Sequence, residues 1–413
     1  MTDTVTRTGE EAPPRVPRRV LGVLVLSQAL GGAGMAAGIT VGALLAEDLL
    51  GSAGLAGLPT ALFTAGAALG AAVIGRVSQR LGRRPGLALG HGIAAFGSAG
   101  VVAAAVGQWV GLLLVSLFVY GAGTATGLLA RYAGADLAPP ERRGRATGTV
   151  LLATTLGAVA GPNLVGPTGE LAHAWGVPRL AGPFLLAALA YTAAGLVLLV
   201  WLRPDPLFLA RAQAPREATA VPAPTAPPHK GGPGVVTGAT VMITAQLVMI
   251  AVMTMTPLHM TGHGHSTQAA GFVIALHVGA MFLPSPLSGL LADRFGRLPV
   301  AAASGAVLLI AGMLAGLAPP DSMPLLSCAL ILLGVGWNLA LVSGTALITD
   351  AAPDDNRASV QGLVDVGMSL AGATGGMASG LVVAGGGYPL LAMTAGTLAL
   401  AVIPVVALRS TSR

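Results

Sequence analysis

The chain of 413 residues is poor in charge: 9% of it is Asp, Glu, Lys or Arg. A soluble protein carries about 25%, so too few charges are present to cover a water-facing surface. Cysteine occurs once, at Cys328, which rules out an internal disulfide and leaves the redox compartment open. The sequence has no nucleotide-binding loop, no H-E-x-x-H and no G-x-S-x-G elbow. It also lacks a large polar segment to house cofactor chemistry. Neither an enzyme nor a cofactor is therefore expected.

What is abundant is apolar: 54% of residues are hydrophobic, and the mean hydropathy is +0.78. The apolar residues fall in runs of membrane-crossing length, about 17–25 residues each. Twelve runs are read, at 20–45, 55–75, 86–106, 110–135, 146–169, 181–202, 235–258, 269–291, 298–318, 324–349, 359–384 and 389–408. They are too long for barrel strands and do not alternate with period two, so they are expected to be helices. The 60 glycines would weaken soluble helices, but in lipid they let helices approach closely. "GGAGMAAG" (Gly31 to Gly38) in the first run fits that role. This run is too long for a signal h-region, and its end, "LLAEDLL", offers no small-residue cleavage site.

The net charge of +6 raises the question of a nucleic-acid partner, and the distribution of charge answers it. Of 22 Lys and Arg, 20 fall in the two tails or in the loops after spans 2, 4, 6, 8 and 10. Arg179 alone lies in an opposite loop, and Arg131 alone lies within a span. This bias predicts cytoplasmic termini and no nucleic-acid partner. The expected partners are the lipid bilayer of the inner cell membrane, a small solute or metal ion, and protons as coupling ion, with the chain acting as a monomer.

Residues 203–234 are rich in Pro, Ala and charge and read as a flexible cytoplasmic linker. The expected organisation is a tail (1–19), a six-helix half (20–202), the linker, a second six-helix half (235–408) and a tail (409–413). The halves repeat at an offset of 214, as Gly75 with Gly289 shows. "GRVSQRLGRR" (Gly75 to Arg84) aligns with "GLLADRFGRL" (Gly289 to Leu298). At the same offset Asp136 meets Asp350, Arg143 meets Arg357, and Gly148 meets Gly362.

The doubled loop, close to G-x-x-x-D-R-x-G-R-[RK], resembles the signature of the major facilitator superfamily. The resemblance covers the whole chain. It implies an all-α integral membrane protein with 12 transmembrane helices in two pseudo-symmetric six-helix bundles, a central site and alternating access. One departure stands out: Gln79 occupies the acidic position of the first copy, while Asp293 keeps it in the second. Charge pairing is the expected role of these loops. Arg80, Arg83, Arg294 and Arg297 are placed to meet Asp136 and Asp350 at the basic ends of spans 4 and 10, and Asp365 to meet Arg80 or Arg83 across the halves. Span 5, "GTVLLATTLGAVAGPNLVG", resembles the superfamily's antiporter motif, with Gly157, Gly161 and Pro162 matching and Val165 replacing a glycine. The motif implies export, and a tightly packed helix explains the same residues.

Soft metal ligands form a second pattern. Met249 and Met253 in span 7, and His277 and Met281 in span 8, are each spaced i, i+4 and share a helix face. Counting from the outer ends brings Met249 and His277 to similar depths. Met255, two positions from Met253, falls on another face. Thioethers and imidazole suit Cu(I), although methionines at this spacing also serve packing. The two pairs resemble those of bacterial superfamily copper importers that feed cytochrome oxidase assembly, which implies copper as substrate. Just outside, "HMTGHGH" holds His259, Met260, His263 and His265, readable as a solvated turn or a capture site. Gln28, Arg131, Asn163, Gln246 and Asn338 are the polar groups expected to line a cavity, and no Asp or Glu lies at mid-membrane. Arg131, near the inner end of span 4, is read either as snorkelling or as binding an anionic substrate or an Asp partner. The expected function is transport of a small solute, with copper import favoured and proton-coupled efflux of a drug or metabolite as the alternative.

Overall fold

A computed structural model describes residues 18–50, 57–136, 138–213, 232–404 and 406. The described residues are helical and include no strand. In chain order they form α1 (Arg18–Leu50), α2 (Gly57–Leu81), α3 (Arg83–Gly107), α4 (Val110–Asp136), α5 (Arg143–Ala174), α6 (Gly182–Trp201) and the short α7 (Pro206–Gln213). There follow α8 (Pro233–Gly262), α9 (Thr267–Phe282), α10 (Ser285–Phe295), α11 (Arg297–Leu317), α12 (Met323–Ala351) and α13 (Arg357–Leu398).

Among the described residues, nine helical stretches are long and apolar enough to cross a membrane. The last of them, Arg357–Pro404, has 48 residues and breaks at Gly387, where φ is 77°. At about 1.5 Å per residue that stretch is long enough for two crossings of a core about 30 Å thick. Helices α1 and α5, of 33 and 32 residues, take up the first and fifth apolar runs. Lipid is the natural neighbour of Phe96, Leu189 and Leu381, each more than 70% exposed.

The sequence repeat is a repeat of packing. In the first half α1 packs on α5 and α6, and α4 on α2 and α3; in the second, α8 packs on α13, and α12 on α9 and α11. The halves meet through α2 against α13 and α5 against α10. Glycines make both approaches close. A Cβ on Gly75 would lie 2.9 Å from the Cα of Gly362, and one on Gly289 would lie 2.2 Å from the carbonyl oxygen of Gly144. The signature glycines Gly82 and Gly296 turn the chain between α2 and α3 and between α10 and α11, at φ of 99° and 94°. Any other residue is strained there.

The expected linker is ordered at its start. Pro206–Gln213 is helical, and the Asp205 carboxylate accepts from the backbone N–H groups of Arg83 and Arg84, at 3.1 and 2.8 Å. It thereby caps α3 with a charge of the sign that the helix N-terminus favours. The rest of the linker, 214–231, and both tails beyond residues 18 and 406 lie outside the described residues.

Candidate functional site

The charged loops assemble at one end of the molecule, here called the basic end, and most of their bonds cross between the halves. Asp293 does not pair with its neighbour Arg294. Its carboxylate accepts from the backbone N–H groups of Gly144 and Arg145, at 2.9 and 3.0 Å, on the first turn of α5. A helix N-terminus leaves such donors unsatisfied and carries partial positive charge. Gln79 does the equivalent job in the other half without charge. Its Oε1 accepts from the Ala358 N–H at 2.6 Å, on the first turn of α13, and its Nε2 donates to the Asp355 carbonyl. The substitution that marks the first copy thus keeps the acceptor and loses the electrostatic part.

Arg83, fully buried, donates through Nε to Asp136 at 2.8 Å and through Nη2 to Gln361 on α13. Arg297 pairs with Asp350 at 2.7 Å, and Arg143 from α5 pairs with the same carboxylate. The pairs of Arg83 and Arg297 are of the expected loop-to-Asp kind, and Arg143 is a further partner. Asp365 differs from expectation: it meets neither Arg80 nor Arg83. Its partner is Arg131, whose Nη2 and Nη1 lie 2.6 and 3.1 Å from the two carboxylate oxygens. Arg131 also donates through Nε to Thr345 on α12 at 2.9 Å and to the Tyr132 hydroxyl at 3.1 Å. Of the readings open for Arg131, the structure shows the Asp partner, in a buried cross-half ion pair. Arg80 and Arg294 remain exposed, with no ion pair to described residues.

Deeper in the membrane the polar groups include three amides. On α1, Gln28 donates to the Gly127 carbonyl on α4 at 2.7 Å and to the Thr154 hydroxyl on α5 at 3.2 Å, while its Oε1 is buried without a partner. Gln246 on α8 accepts from the Trp337 indole on α12 at 2.7 Å, beside Gly372 of α13. The two amides therefore lie on the equivalent helices α1 and α8, about one turn apart in register, since the repeat pairs Gln28 with Met242. Asn338 donates to the Met281 carbonyl and the Ser285 hydroxyl, at 2.7 and 2.6 Å. On α5, Gly157 meets α1 so closely that a Cβ would lie 2.3 Å from Ala29 O and Ala33 N. Gly161, Pro162 and Asn163 lie on the same helix, and their side chains are outside the described residues.

The soft ligands are split. Met249, Met281 and His277 are buried and Met253 is half-buried, all in the core of the second half. His277 is turned onto α12, with Nδ1 donating to the Leu330 carbonyl at 2.8 Å, and its Nε2 is buried without a partner. At the far end of α8 the expected outer set also divides. Met260 is fully buried in the core, and the His265 Nε2 bonds the Pro320 carbonyl at 2.9 Å. His259 and His263 lie side by side with ring centroids 4.4 Å apart. They line a pocket of about 220 Å³ with Met255 and Tyr388.

A family model for the Major Facilitator Superfamily matches residues 21–343 and 238–413. The chain belongs to the major facilitator superfamily. It is 52% identical to the uncharacterized MFS-type transporter YddS of Bacillus subtilis, over 94% of this chain and 90% of that one. It is 32% identical to the riboflavin transporter RfnT of Brucella anthropi, over 84% of this chain and 85% of that one. The human organic anion transporter MFSD10 has a similar structure, with a TM-score of 0.75 and 18% identity over 95% of this chain and all of that one. The chain is thus a multi-pass membrane transporter and not an enzyme.

Several of these contacts carry no signal in the sequence. Gln361 and Thr345 gave no sign of bonding to Arg83 and Arg131, because a lone polar residue in a span does not name its partner. Asp205 was hidden by the flexible composition around it. Met255 had a legible signal: Met255, His259 and His263 are spaced i, i+4, i+8, one turn apart on one helix face.

Proposed function

We propose that this superfamily transporter moves a small organic solute of the planar, neutral heterocycle class, with riboflavin the first candidate. The observation that carries the reading is the pair of amides, Gln28 and Gln246, on the equivalent helices α1 and α8, the second bonded to Trp337. Amides and an indole offer neutral donors, acceptors and an aromatic face. Such groups suit an uncharged heterocycle better than an ion. Similarity to the riboflavin transporter of Brucella anthropi over most of both chains supports the same class.

The basic end faces the cytoplasm, a placement supported by 20 of 22 positive residues. The structure is then closed towards the cytoplasm. Opening that side requires Arg131 and Asp365 to part. Separating them leaves a buried charge, which is strongly unfavourable unless it is neutralised or hydrated. Protonation of Asp365 would neutralise the carboxylate, so Asp365 is our candidate for the coupling proton. This makes the latch at Arg131 the link between proton and conformation.

Copper import is the second reading, favoured by one observation: the buried, unpartnered Nε2 of His277 in a core that also holds Met249 and Met281. The test is uptake by purified protein in liposomes, with and without a pH gradient. Saturable riboflavin accumulation, dependent on the gradient and reduced in Gln246→Leu, is expected. Copper accumulation abolished by His277→Leu, with no flavin uptake, would overturn the heterocycle reading in favour of copper.

A further inference from the structure

We infer that Met255, His259 and His263 form a Cu(I) site at the end of α8 remote from the basic loops. The site is independent of the solute that crosses. The three residues stand on one face at successive turns and line one pocket, with Leu258, Gly262, Val383, Gly387 and Tyr388 completing it.

Each imidazole is held in a definite pose. His263 Nδ1 donates to the His259 carbonyl, 2.8 Å away and one turn back. That bond fixes the tautomer and leaves the Nε2 lone pair free to ligate. His259 stacks on Tyr388, with centroids 4.3 Å apart and planes 14° from parallel. The Tyr388 hydroxyl is bonded to Thr256 Oγ1 at 2.9 Å, which anchors the ring beneath His259. Neither nitrogen of His259 is hydrogen-bonded to a described residue. A pair of imidazoles with centroids 4.4 Å apart can converge on one ion, and the Met255 thioether lies one turn below.

The choice of ion follows from charge and softness. All three ligands are neutral, and no carboxylate lines the pocket. A divalent cation would bring two uncompensated charges to a largely apolar site, whereas Cu(I) brings one. Thioether ligation favours Cu(I) over Zn(II), and imidazole serves both. His265 is excluded, since it does not line the pocket and its ring is turned to the Pro320 carbonyl. Met260 is excluded by its burial in the core.

The test titrates Cu(I) into full-length protein in lipid nanodiscs, against a chromophoric Cu(I) chelator under reducing conditions. One equivalent is expected. Affinity should fall roughly 10–100-fold or more in His263→Ala, in Met255→Leu and in His259→Phe. The phenylalanine keeps a ring on Tyr388, so its effect reports ligation and not folding. His265→Ala should bind like the parent. Binding unchanged in His263→Ala, binding lost only in His277→Leu, or displacement of Cu(I) by equimolar Zn(II) would each overturn the inference.

Discussion

Asp365 and Arg131 form a buried ion pair between the halves at the basic end. Both are buried, and breaking such a pair by removing one partner typically costs about 3–5 kcal/mol. Asp365→Asn should therefore lower the melting temperature and reduce transport sharply. The double variant Asp365→Asn, Arg131→Met removes the orphaned charge and should recover most of the stability but not the proposed proton coupling. Equal melting of Asp365→Asn and the parent would show that the pair does not hold this state. Asp293 offers a gentler test. Its charge complements two α5 backbone donors, whereas Gln79 already acts without charge. Transport should fall more in Asp293→Asn than in Gln79→Asn at matched membrane abundance; the reverse order would contradict the capping role.

Helix packing rests on glycine wherever two backbones touch. At Gly157 an added methyl would meet α1 backbone at 2.3 Å, whereas at Gly166 on the same helix nothing lies within 4 Å. Overpacking of this kind costs about 1–3 kcal/mol. Gly157→Ala should thus melt lower than the parent and Gly166→Ala should not, as thermal unfolding in detergent would read. The helices themselves were legible in the sequence, because twelve apolar runs of spanning length admit few other folds. So were the pairs of Arg83 with Asp136 and Arg297 with Asp350, because a doubled loop motif places them twice. The partner of Asp365 was not legible. Its register against α4 depends on how the two halves meet, which is a property of glycine contacts between α2 and α13 rather than of local spacing. The outer ligand set was half legible: one histidine pair follows from helical periodicity, but the burial of Met260 and the turn of His265 towards Pro320 depend on tertiary packing.

For the whole molecule, orientation and motion remain to be measured. A cysteine at Thr261, in a Cys328→Ser background, should react with impermeant thiol reagents in intact cells, and one at Thr225 should resist them. The opposite pattern would invert the placement of the basic end. The central claim is that the two halves must part at that end for the solute to cross. Arg145 on α5 and Arg294 on α10 are both exposed and stand on either side of the Asp293 contact. Cysteines at these two positions, joined by a reducible bifunctional reagent in the same background, would clamp the halves together. Solute uptake into liposomes by the clamped protein is the most direct measurement. Uptake should stop on bridging and return on reduction; uptake at the unbridged rate with the clamp in place would contradict the account.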